Sequence, residues 1–194
     1  MKKVLLMVFS LILLGHTQAM AYEWKADPNH SGILFEIQHI YSITRGHFSD
    51  FTGNVFFDPD NLEKSKFDFV VKVDSINTNN AKRDNHLRSD DFFAARKYPV
   101  MTFKSSRVSH AGGNKYILEG KMTIKDVTKD MVLEFIYWGQ KENPFNNNEM
   151  VAGFDSRFKI DRLNYHVGDG KFYKMGVVGK DVDILITLEM IRDK

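Results

Sequence analysis

The stretch KFDFVVKVDS, residues 66–75, alternates with a period of two. Phe67, Phe69, Val71 and Val73 fall on one side, and Lys66, Asp68, Val70, Lys72 and Asp74 on the other. Successive side chains of an extended chain point to opposite faces, so the pattern predicts a strand with one apolar and one wet face. YILEGKMTIKD (116–126) repeats it with Tyr116, Leu118, Gly120, Met122 and Ile124 in phase. KDVDILITLEM (180–190) does so with Val182, Ile184, Ile186, Leu188 and Met190. Shorter runs of the same kind are ILFEIQH (33–39), GNVFFDP (53–59), VMTFKSS (100–106), MVLEFIYW (131–138) and VAGFDSRFKI (151–160).

Turn-forming residues separate these runs at 58–61, 111–114, 126–130 and 143–148. Eight or nine strands at hairpin spacing, with helix expected only over 79–93, define an all-β antiparallel domain. A sandwich and a closed up-and-down barrel both satisfy that pattern. Gly53, Gly120 and Gly153 inside strand runs favour the eight-stranded barrel, because they permit the bends of a strongly coiled sheet. In ITRGHFSDF (43–51), Gly46 marks the expected place for a bulge, which would reverse the phase of everything after it.

Residues 1–21, MKKVLLMVFSLILLGHTQAMA, begin with two lysines, run apolar from Val4 to Leu14 and end on Ala19-Met20-Ala21. The run is too short to span a bilayer and reads as a signal peptide cut after Ala21, which places the mature protein in the periplasm. Residues 22–194 then form a single domain. The chain has no cysteine, so that domain holds itself together by core burial and no disulfide. Removal of Lys2 and Lys3 with the leader leaves 25 basic residues against 25 acidic. That balance lacks the basic excess of a nucleic-acid binder.

No G-x-S-x-G elbow, H-E-x-x-H pair, P-loop or dinucleotide fingerprint occurs, so no catalytic residue is assigned and the chain does not read as an enzyme. His30, His39 and His47 are candidates to converge at one barrel end as zinc or haem ligands. Without cysteine or an H-x-H pair, however, no metal is assigned.

An eight-stranded barrel is either filled by its own side chains or holds one small ligand, and alternation does not separate the two. If the bore is open, the inward phase puts Phe35, Ile37, Val55 and Phe57 of the first strands on its wall. Phe67, Phe69, Val71, Met101, Phe103 and Met122 follow, then Leu133, Phe135, Phe154, Phe158, Ile184 and Ile186.

RDNHLRSDDFF, residues 83–93, reads as a lid, polar outside and aromatic beneath. Asn79 or Asn80 is placed to cap its helix, Asp84 and Arg88 stand four apart within pairing reach, and Ser89 starts a second turn that aims Phe92 and Phe93 inward. Arg83, His86 and Arg88 either knit this lid to its neighbours or meet a ligand's head group, for which the planar arginine fork suits phosphate oxygens.

Taken together, DPNHSGILFEIQH (27–39), GHFSDFTGNVFFDP (46–59), VDSINTNNAKRDNHLRSDDFF (73–93), YPVMTFKS (98–105), GKMTIKDVTKDMVLEF (120–135) and DSRFKIDRLNY (155–165) resemble the YceI-like family of exported, lipocalin-like, polyisoprenoid-binding proteins. The resemblance implies an elongated barrel whose apolar tunnel holds an isoprenoid chain, with a polar or phosphorylated head near one mouth. It departs at Asp126, where glycine is usual and a left-handed turn residue is expected. The expected function is a periplasmic carrier of a polyprenyl phosphate or isoprenoid quinone, with that lipid as the ligand and no other cofactor. Transient membrane contact and a monomer or homodimer accompany this expectation. The alternatives are a stress-response or protein-interaction module with a solid core, and a quinone or haem redox accessory.

Overall fold

The computed structural model describes residues 22–194, and the signal-peptide reading of 1–21 lies outside the described residues. β1 (Tyr22–Ala26) and β2 (Gly32–His39) are successive pieces of one path along β11 (Val178–Asp193). β1 meets the end of β11, Lys25 opposite Ile191, and β2 meets its beginning, Phe35 opposite Ile184. β3 (Ser42–Phe48) and β4 (Phe51–Phe57) repeat the break, β3 pairing with β2 and β4 with β1. β5 (Lys66–Lys72) continues from β4, and the two-residue β6 (Ile76–Asn77) pairs with β3. The ring then runs through β7 (Val100–Gly112), β8 (Lys115–Ile124), β9 (Val127–Asn143) and β10 (Asn146–Asp161) to β11. Pairing of β1 with β11 closes it, so the fold is an eight-position antiparallel up-and-down barrel rather than a sandwich.

The alternation holds in three dimensions. Phe67 and Val71 are buried while Val70 between them is exposed, and Tyr116, Leu118 and Ile124 are buried on β8. No bulge forms at Gly46, where the β2–β3 register is unbroken with Gly46 opposite Phe35, but the phase does reverse in this segment, at the break between β3 and β4: Phe48 is buried before it, and Val55 and Phe57 after it. The Phe35 ring rests against the Gly46 backbone, where a Cβ would lie 2.4 Å from Phe35 Cζ and would push the ring aside. The register shifts fall instead at Ser105/Arg107, His110/Gly112 and Gly153/Phe154, among other places.

Two turns are tighter than expected, because β9 already begins at Val127 and β10 at Asn146. Lys125, with φ +54°, takes the left-handed conformation assigned to Asp126. The Asp126 carboxylate instead meets His166 Nδ1 at 3.2 Å.

The helix expected over 79–93 is α1 (Ala81–Arg88). Asn80 caps it, its Oδ1 accepting from the Arg83 N–H at 3.0 Å. Ser89 ends the helix rather than starting another, and residues 90–97 form turns. A 3-10 turn at Arg162–Tyr165 and a short α2 (Lys171–Lys174) were not foreseen, because four residues carry too little periodicity to register.

Candidate functional site

One end of the barrel is solid. Phe57, at the end of β4, is met by the rings of Tyr137, Tyr116, Phe154, Phe67 and Phe135 at centroid distances of 5.0, 5.3, 5.4, 5.7 and 5.8 Å, all edge-on. Such edge-to-face arrangements suit the ring quadrupoles. Trp24 closes the cluster, its Nε1–H donating to the Phe57 carbonyl at 3.3 Å. Above this floor the barrel encloses a cavity of about 370 Å³ with an almost wholly apolar wall. Roughly 10–15 Å³ suffices for one water, and ligand pockets run from about 300 to 1,000 Å³.

The wall is built by the inward phase of the strands. Phe35 and Ile37 of β2, and Phe67, Phe69 and Val71 of β5, line it. Met101 and Phe103 of β7, Met122 of β8, Leu133 and Phe135 of β9, Phe154 and Phe158 of β10, and Ile184 and Ile186 of β11 also line it. Val55 and Phe57 do not line it. They share the inward phase but stand where the floor aromatics converge, and both are fully buried in solid packing.

The lid sits over the opposite end, where Leu87, Phe92 and Phe93 reach the cavity. Of the three head-group candidates, Arg83 and His86 stand on the cavity wall and Arg88 does not. Arg88 donates through Nε to the Asp74 carbonyl at 2.8 Å and through Nη2 to the Ile76 carbonyl at 2.7 Å, tying α1 to the strand end. The expected Asp84–Arg88 pair does not form. Asp84 is buried and turns to Thr78, leaving Arg88 free for those carbonyls. Arg83 also spends its Nε and Nη2 on Thr78, at 2.7 and 2.8 Å. His86 Nε2 meets Asp91 at 2.9 Å while its ring sits edge-on to Phe92.

His30, His39 and His47 do not converge. His30 precedes β2 and His39 ends it, so the length of a strand separates them, and His47 lies mid-barrel opposite Leu34. His30 pairs with Asp27 at 2.7 Å on the exposed surface, and that hydrogen bond raises its pKa.

The alternation missed Arg162, among the described residues the one buried cation of the wall. It follows β10 in the 3-10 turn, beyond the strand periodicity, and is 5% exposed. Its Nε donates to the Gly179 carbonyl at 2.8 Å and its Nη1 to the Val167 carbonyl at 2.6 Å. Nη2 has no hydrogen-bond partner. Gly168, at φ +86°, makes the room, since a Cβ there would lie 2.5 Å from Nη1. The Phe92 ring lies 5.9 Å from the guanidinium carbon and stacks on Phe172, which also lines the cavity. Burial pushes the Arg162 pKa down, although a guanidinium stays protonated.

Fold and site define a closed antiparallel barrel with an apolar chamber, a packed aromatic floor and a helical lid. The chain belongs to the YceI-like family, whose domain model matches residues 24–190. It is 35% identical to UPF0312 protein plu2095 of Photorhabdus laumondii and 34% identical to Protein YceI of Escherichia coli O157:H7, over the whole length of each. Among solved structures it is similar to Burkholderia cenocepacia BcnA, at 26% identity and a TM-score of 0.74, covering 86% of this chain and 99% of that one. A polyisoprenoid-binding domain from Saccharophagus degradans shares the fold at 16% identity and a TM-score of 0.60, covering 88% of this chain and 98% of that domain.

Proposed function

We propose that this protein is a non-catalytic periplasmic lipid binder that shelters the hydrocarbon tail of a long isoprenoid, a polyprenyl phosphate or an isoprenoid quinone. The observation that carries the reading is the cavity of about 370 Å³ walled by inward phenylalanines and aliphatic side chains. Removing apolar surface from water contributes about 25 cal/mol per Å², so a slender tail gains affinity along its whole length. A packed-solid interaction module does not fit an interior of this size. The polyisoprenoid-binding domain of Saccharophagus degradans, a neighbour in fold, supports the choice of lipid class.

The same end of the barrel supports transient membrane contact. Ile40 and Tyr41 in the β2–β3 turn, and Tyr173 and Met175 around α2, are exposed. The Ile40 N–H donates to the Val177 carbonyl at 3.0 Å, joining the two segments, and Val177, Val178 and His39 beside them line the cavity. An apolar rim continuous with an apolar chamber suits loading from a bilayer surface, where tyrosine is favoured.

The test is extraction of the purified protein with organic solvent for mass spectrometry, followed by uptake of a labelled isoprenoid from vesicles. Saturable uptake is expected, slower in Y41A. No co-purified lipid and no saturable uptake would overturn the reading.

A further inference from the structure

We propose that Arg162 is the polar anchor of the cavity and selects a lipid with an anionic head, a phosphate or carboxylate, over its neutral counterpart. The inference rests on the lipid reading above and narrows it to one class of ligand.

Three observations converge on this side chain. First, it belongs to the cavity wall yet is buried, and a charge removed from water is costly unless paired. Second, no carboxylate bonds to it, although the charges of Asp161 and Asp169 act on it from a distance. Its neighbour Asp161 is engaged by Lys180 Nζ at 3.0 Å and by the Leu163 N–H at 2.9 Å. Among the described residues no ion pair involves Arg162, and its two bonds go to neutral carbonyls. Third, Nη2 is left without an acceptor, which is unusual for a buried donor.

Nε and Nη1 fix the guanidinium plane, so the unpartnered nitrogen is held in place before any ligand arrives. An oxygen from a ligand would complete the set, and a negative charge on that oxygen would neutralise the cation where water does not. Nη2 is closed to solvent, so the incoming group must move a neighbour. Phe92, packed over the guanidinium and stacked on Phe172, is the ring placed to yield. Arg83, also on the wall and in no ion pair among the described residues, adds positive charge to the same chamber. A quinone has no charge to offer and is disfavoured by this geometry.

The experiment compares geranylgeranyl monophosphate with geranylgeraniol, which share a tail and differ only in the head. Each is titrated into the delipidated protein and into R162Q. Wild type is expected to bind the phosphate ~10- to 100-fold more tightly, the range of a charge-assisted hydrogen bond in a dry site. In R162Q the preference should fall to about one while the alcohol binds as before. Equal affinity of the two probes for wild type would overturn the anchor and leave the lipid reading standing. Failure of both to bind would overturn both. Should R162Q not fold, the wild-type comparison alone decides. Inorganic phosphate by itself is expected not to bind, and binding as tight as that of the prenyl phosphate would assign the site to a free anion instead.

Discussion

Asp84 and Thr78 are joined twice: one carboxylate oxygen accepts from the Thr78 N–H at 2.9 Å and from its hydroxyl at 2.5 Å. Both residues are buried, and the same hydroxyl accepts from Arg83 Nε at 2.7 Å. This network fastens α1 to the strand that precedes it, so the lid's hinge is polar and dry. Replacing Asp84 by alanine strands two buried donors and is expected to cost about 2–3 kcal/mol, read as a drop in the urea midpoint. Lipid release should quicken in the same variant. An unchanged midpoint would show that the lid is held by its apolar face alone.

Floor and wall aromatics separate by their effects. Phe57→Ala removes the ring at the centre of the floor and is expected to cost about 3–5 kcal/mol while lipid capacity per folded molecule stays the same. Met122→Trp puts bulk into the chamber. It should abolish uptake while the urea midpoint holds or rises, because filling a cavity commonly stabilises. Equal loss of capacity in both variants would mean that the floor is not separate from the chamber.

Gly120 faces the barrel interior where backbone crowds it. A Cβ there would stand 2.5 Å from the Lys104 carbonyl oxygen and 2.6 Å from Phe103 Cζ. A ring can turn away, but a paired strand cannot. Gly120→Ala is therefore expected to destabilise by about 1–3 kcal/mol in thermal or urea unfolding. Gly113→Ala has open space, and its strain comes only from φ +59°.

Alkaline pH should loosen the floor. Burial pushes the Tyr137 phenol up to about 12, and raises Tyr116 and Tyr165 in the same direction. Unfolded tyrosine ionises near pH 10, so above that pH the unfolded chain binds fewer protons than the native one. Stability is then fully present below roughly pH 10 and falls as pH rises toward about 12. Urea midpoints measured across that range should decline, and Tyr137→Phe should flatten the decline.

The amino-acid sequence by itself determined the strands and their inward phase. Side-chain direction along a strand is a local property of period two, so Phe67, Leu118 and Ile184 could be placed on the inner face without knowing what lay opposite. It also placed the lid, because the Asn80 cap and the switch from polar residues to Phe92 and Phe93 lie within a few residues of each other. Only the tertiary structure decided where the bore is open. Phe57 and Phe67 share one phase, yet Phe57 ends in solid packing and Phe67 also borders the chamber, since what fills a point inside a barrel depends on strands far apart in the chain. The choice of Thr78 over Arg88 as the partner of Asp84, and the burial of Arg162 without a carboxylate bonded to it, are settled the same way. Helical spacing permits a pair, but the partner that wins is the one folding brings close and removes from water.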